Sequence, residues 1–475
     1  MAGIGFELKK MLKKGSLLMT AGGYFYATFI SVGPLIICVG FLVVIRLILR
    51  SMGVSIVDQN MLLAGITYAF MASLFFSGLF GMILSRYVSD LIYSEKEEKI
   101  FPSFISGLST CLLITGLSAI AYLMWIDLPL LFEVLCYLLL MGLTTTFFVM
   151  VYVSAVKDYK RITMSFILGC AIGIGIAEVL IIFFAVTTIF AILIGMASGF
   201  LLSACLLTIN VYKFFKKHDT SYFDWFKYIK KVPRLIWINA LYMAGIFGHS
   251  LLMWRAELSL VITEHMNVAP IYDVPAFYAL LSVTPAMVIF VVKTETTFYN
   301  YYKNYMSMLD GGGTLTDLRL AGESMTENMY NEILELLQIQ LMISALCIVG
   351  ARFLFPAMGL SDLAFGIFGY MSIGYYCIVA ANVISSIILY FDDRKSAFRI
   401  MFVFIISHII CVKLSIDFGV KAYGLGTTIA GLITLIYSFI MLRNMVKSLD
   451  YRLYCSQPIN IEKDREELDT PFEEI

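Results

Sequence analysis

Residues 162–212 read ITMSFILGCAIGIGIAEVLIIFFAVTTIFAILIGMASGFLLSACLLTINVY, and the only charged side chain in the whole stretch is Glu178. About 20 consecutive apolar residues carry a helix across the hydrocarbon core of a bilayer. The stretch is therefore two membrane helices, 162–184 and 187–212, joined by a very short turn. The same reading at 103–125 and 129–154 gives a second tight hairpin. Worked outward in both directions, the pattern yields eight further spans: 20–45, 61–85, 235–254, 276–293, 336–356, 364–391, 397–416 and 423–442.

Composition agrees with twelve spans. Of 475 residues 60% are hydrophobic and only 14% are charged. Soluble chains are about 45–50% apolar and 25% charged. So little charge cannot cover so much apolar surface in water, which excludes soluble enzymes, nucleic-acid modules and secreted disulfide domains. Lys plus Arg and Asp plus Glu are both 34, so net charge selects no anionic partner. Nine cysteines without any CxxC spacing give neither a zinc pattern nor a complete disulfide framework.

The basic residues set the orientation. With the N-terminus placed in the cytoplasm, 28 of the 34 Lys and Arg fall on the cytoplasmic side. Both ends are then expected on the cytoplasmic side of the cytoplasmic membrane. The chain divides into a short interfacial helix (1–16), a first six-helix half (17–212), a basic linker (213–234), a second half (235–445) and an acidic tail (446–475). The fold class expected is all-α, polytopic, with twelve helices in two six-helix bundles. Transporters are often built from two such repeats with the path between them.

The second half contains a long cytoplasmic segment, 294–335. In it Gly311, Gly312 and Gly313 precede Thr314 and Asp317, which are spaced as a capping box, and a helix through 325–337 is expected to run directly into span nine. Its acidic face, with Glu323, Glu327 and Glu332, is repelled by anionic headgroups, which makes it a candidate docking surface for a protein. A merely solvated loop is about as good a reading.

No Walker A, HExxH or GxSxG signature occurs, so no enzyme activity is expected. The four histidines, at 218, 249, 265 and 408, are scattered, and neither a metal nor a cofactor is implied. Ionisable groups at membrane depth are the candidate path residues. Glu178 follows Gly169, Gly173 and Gly175, a run that permits close helix approach. His249, Arg255 and Glu257 are placed to line the outer mouth, although the last two also suit an interface. His408 is expected to be buried and hydrogen-bonded. Lys293 and Glu295 either cap span eight or gate the inner mouth. Pro285 is expected to kink that span, and Pro34 span one.

The opening Met1-Ala-Gly-Ile-Gly-Phe-Glu-Leu-Lys-Lys-Met-Leu12 resembles the start of the PelG family. The run Phe277-Tyr-Ala-Leu-Leu-Ser-Val-Thr-Pro-Ala-Met-Val-Ile-Phe-Val-Val-Lys-Thr-Glu-Thr-Thr-Phe-Tyr299 resembles that family's eighth span and its exit, and Gly311-Gly-Gly-Thr-Leu315 matches as well. Lys9 departs from the Arg of many members. The resemblance implies a flippase of the MOP superfamily, to which MATE antiporters belong. It implies transport of the Pel exopolysaccharide of biofilms, a cationic polymer, across the cytoplasmic membrane. PelD-, PelE- and PelF-like synthase proteins are the implied partners. It carries over no substrate residues. Two other readings of the same chain are a MATE-like cation or drug antiporter, which needs a deep proton-coupled carboxylate, and a non-transporting scaffold for a glycosyltransferase.

Overall fold

The computed structural model describes residues 51–156, 159–215, 219–308 and 314–449, together with 37, 38, 41, 44, 45, 48 and 49. Most of span one, the interfacial helix, Pro34, Gly311–Gly313, Cys455 and the acidic tail lie outside the described residues. Cys38, Phe41, Ile45 and Leu49 are helical and buried, at the spacing of one helix face.

Eleven described helices are long and apolar enough to cross a membrane. Five belong to the first half: α1 Ile56–Tyr93, α2 Ile100–Leu123, α3 Leu130–Val156, α4 Tyr159–Ile182 and α5 Thr188–Phe214. A short helix, α6 Asp224–Lys231, lies in the linker. The second half opens with α7 Arg234–Met253 and a hairpin of β1 Leu260–Thr263 and β2 Met266–Val268. Span eight follows as α8 Pro270–Ser282 and α9 Thr284–Lys293, and α10 Tyr299–Ser307 leads from it. The last four spans are α11 Leu315–Ala357, α12 Asp362–Tyr390, α13 Arg394–Asp417 and α14 Leu425–Lys447.

Span eight breaks at Val283, two residues before Pro285, as expected of a ring that clashes with the carbonyl four residues back. The capping box at Thr314 and Asp317 is formed, and α11 runs unbroken for 43 residues into span nine.

Small residues set the helix spacing. A Cβ on Gly173 of α4 would stand 2.6 Å from the Gly195 carbonyl oxygen of α5, and one on Gly169 2.5 Å from that of Gly199. Both contacts are with backbone, which cannot rotate aside. Gly426 of α14 is held as tightly against Cys411 of α13. The pairings α1–α3, α3–α5 and α4–α5 recur as α8–α12, α12–α14 and α13–α14. Across the two sets, α1 packs on α7, where Gly78 admits Met243 and the Asn239 side chain donates to the Gly78 carbonyl.

Gly173→Val is expected to cost about 1–3 kcal/mol of packing energy, seen as a lower unfolding temperature in detergent. Gly175→Val is the control, because nothing lies within 4 Å of a Cβ there. Equal unfolding temperatures for the two variants would remove the spacing argument.

The linker helix α6 is fastened to the first half. Asp224 pairs with Lys99 at 3.1 Å, Trp225 Nε1 donates to Ser106 Oγ at 2.9 Å, and Tyr228 Oη donates to Asp90 at 2.5 Å. Lys227, Lys230 and Lys231 face outward. The helix thus buries its aromatic side and presents a basic one.

Candidate functional site

A polar network lies inside the second half, and two glycines place it. Gly245 of α7 leaves room for the Phe404 ring of α13, where a Cβ would come within 2.2 Å of the ring. One helical turn further along each chain stand His249 and His408, so the same contact brings the two imidazoles together. Their ring centroids are 5.5 Å apart. Gly374 of α12 likewise admits Thr427 of α14, which sets Tyr375 and Thr427 beside the pair. Tyr272 of α8 completes the group. His249, His408 and Thr427 are all at most 4% exposed, and both tyrosines are buried.

Two hydroxyls flank His249: Tyr272 Oη stands 3.0 Å from its Nδ1 and Tyr375 Oη 2.7 Å from its Nε2. His408 Nε2 bonds the Thr427 hydroxyl at 3.0 Å. A neutral imidazole is a donor at one nitrogen and an acceptor at the other, so His249 satisfies both tyrosines at once, accepting from one and donating to the other.

A second arrangement joins the two halves at the hairpin end. The Trp254 ring stacks on Tyr68 of α1 at 4.5 Å, and Tyr68 stacks on Tyr122 of α2 at 5.7 Å. Tyr68 Oη donates to the Asn267 carbonyl and Tyr122 Oη to that of His265, both in the hairpin. Asp273 accepts from Trp254 Nε1 at 2.7 Å and from the Ala269 N–H at 3.1 Å, which fixes the inner ring of the stack. Aromatic pairs of this geometry contribute about 0.5–1.5 kcal/mol each beyond burial.

The residues singled out in the sequence fare differently. His249 and His408 meet, although 159 positions separate them, so the four histidines are not all scattered. His249 does not line a mouth with Arg255 and Glu257; it points into the second half, while those two are exposed at the hairpin end. Tyr423 reaches the Glu257 backbone. Glu178 is exposed on the face of α4 that carries Ile172, Val179 and Ile182, turned away from α5. Lys293 pairs with Glu332 at 2.9 Å and with Glu335, not with a group on its own helix; the Glu295 side chain lies outside the described residues. Glu332 is consequently engaged, whereas Glu323 and Glu327 stay exposed on α11. Tyr272, Tyr375 and Thr427 were missed, since tyrosine and threonine in apolar helices carry no distinguishing signal in one sequence.

Residues 1–454 match the sequence profile of PelG, described as "Putative exopolysaccharide Exporter (EPS-E)". No curated protein matches the chain. Among solved structures, a mutant of the Vibrio cholerae MATE transporter VcmN superposes with a TM-score of 0.64 at 12% identity, over 94% of this chain and 98% of that one. A MOP superfamily transporter from Pyrococcus furiosus, with a binding pocket of reversed polarity, gives 0.60 at 14%, over 89% and 96%. An outward-facing multidrug resistance MATE family transporter gives 0.58 at 14%, over 89% and 96%. These likenesses establish the fold.

Proposed function

Because the chain belongs to the PelG family of exopolysaccharide exporters, a family of membrane transporters and not of enzymes, we propose that it carries a Pel-type polysaccharide across the cytoplasmic membrane as the transporter of a synthase complex. The observation that supports this most is the family match over nearly the whole chain, on a fold built for transport. The substrate path runs between two six-helix halves, and the His249–His408 network is the polar element in the second half that responds to passage. PelD-, PelE- and PelF-like proteins are the partners, and the exposed Glu323 and Glu327 of α11 are their docking face. Glu332 contributes less, being held by Lys293.

In cells lacking the gene, secreted polymer falls to background and returns with the wild-type chain, and a cytosolic glycosyltransferase co-purifies with it. Continued secretion in the deletion strain refutes the reading. Charge reversal at Glu323 and Glu327 releases the glycosyltransferase and leaves the transporter in the membrane.

Two further results are expected. A cysteine at Thr187 reacts with an impermeant thiol reagent in intact cells, and one at Thr220 reacts only after permeabilisation, as the basic asymmetry demands. The opposite pattern inverts the topology. Glu178→Gln keeps secretion within about twofold of wild type, because an exposed carboxylate on a lipid-type face is an interface residue; a loss of secretion at normal protein level returns Glu178 to the path.

A further inference from the structure

Beneath the hairpin, between the ends of α1, α2 and α3, lies a cavity of about 280 Å³. Its floor is α3, where Phe132 and Leu140 are buried; its walls are Ala72 and Phe76 of α1 and Ala119 of α2, all partly exposed, and Met266 of the hairpin forms its lid. Glu133, Cys136 and Tyr137 of α3 are partly exposed as well, while Gly65 and Ala69 of α1 are buried, so all three helices contribute to the opening and Phe132 and Leu140 mark the closed end.

Water does not suit this space. A buried water needs two to four polar partners. The Tyr68 and Tyr122 hydroxyls already donate to hairpin carbonyls and that of Ser118 donates within α2; apart from Tyr137 and the Glu133 carboxylate the rest of the lining is apolar. A dry apolar cavity of about 150 Å³ is large enough to take up benzene, and this one is nearly twice that size. An unfilled cavity is also unstable in proportion to its volume. Hydrocarbon is what fills it at membrane depth. The exposed side chains that continue the surface of α2 away from the opening, Leu113, Leu117 and Ile120, are all aliphatic.

The rim gives the headgroup. Trp125, exposed just past the end of α2, marks the level of the membrane interface. Glu133 lies in the first turn of α3 on the cavity lining. A carboxylate at that level repels an anionic head and attracts an amine. We propose that this cavity binds one acyl chain of an amine-headed phospholipid, with Glu133 facing the ammonium group. The site is independent of which polymer the protein moves.

The test uses the full-length protein in nanodiscs containing phosphatidylethanolamine with a diazirine near the end of one acyl chain. The label is expected on the floor peptide around Phe132–Leu140. Phosphatidylglycerol with the same tail labels it about tenfold less, and Glu133→Gln removes that difference. Ala72→Trp and, separately, Ala119→Trp fill the cavity from opposite walls and each reduces floor labelling about tenfold, with labelling of the Leu113–Leu117 face unchanged. The proposal is overturned by full floor labelling in a Trp variant that unfolds at the wild-type temperature. It is equally overturned by equal labelling from both headgroups in the wild-type protein, or by displacement of the phospholipid by a small fraction of polyprenyl phosphate.

Discussion

Lys293→Met is expected to destabilise the second half by about 3 kcal/mol, the lower end of the cost of breaking a buried ion pair. The Lys293 side chain is 14% exposed and that of Glu332 17%, so removing the ammonium leaves a carboxylate shut in without its partner. Glu335 is 56% exposed and loses little. The combined variant Lys293→Met, Glu332→Leu is expected to recover most of the stability, because an apolar pair in the same space is tolerated. Thermal unfolding of purified protein reads both. A single variant as stable as wild type would show that the pair holds nothing.

His249→Gln is expected to lower polymer secretion about tenfold or more at unchanged protein level, equivalent to about 1.4 kcal/mol or more. A glutamine amide fills nearly the same volume but lacks the rigid ring whose two nitrogens bond Tyr375 and Tyr272 at once. His408→Gln breaks the far end of the same network and is expected to act in the same direction. Tyr375→Phe removes one hydroxyl and leaves the buried His249 Nε2 without that partner, at a cost of about 1–3 kcal/mol. Alanine at either histidine is a poorer probe, since it opens a cavity as well. Secretion is measured per unit of transporter in the membrane. Wild-type secretion from both Gln variants would make the network a packing device only.

Spans two to twelve were legible because hydrocarbon thickness writes itself into the chain as long apolar runs. What those runs cannot show is how far a helix continues into water. α1 extends to Tyr93, beyond a span read as ending at residue 85, and carries the Arg86–Asp90 pair on the added turns. α8 begins at Pro270, six residues earlier than the hydropathy suggested, because proline is well tolerated in a first turn. The hairpin went unread although Leu260–Thr263 is rich in β-branched residues; its turn, Glu264-His265, has none of the Gly or Asn that signals one. The two histidines illustrate a different limit. Each was visible as an ionisable group at depth, but only the Gly245–Phe404 contact pairs them, and a contact across 159 residues has no periodicity. Glu178 was read by depth alone, and which way a side chain faces is decided by the neighbouring helix.

Between α6, clamped to the first half, and α7, the first helix of the second, only Val232 and Pro233 remain. This short joint is the single covalent link between the two bundles, and proline allows it little torsional slack. Were the two halves to rock against each other, this joint would be the pivot and α7 the lever arm. Twenty residues of α7 make that arm about 30 Å long, so a tilt of about 10° moves its far end by about 5 Å while the pivot hardly shifts. A displacement of that size is enough to separate Trp254 from Tyr68, whose rings stack at 4.5 Å. Such a tilt would be felt most at the aromatic stack and least at the basic end.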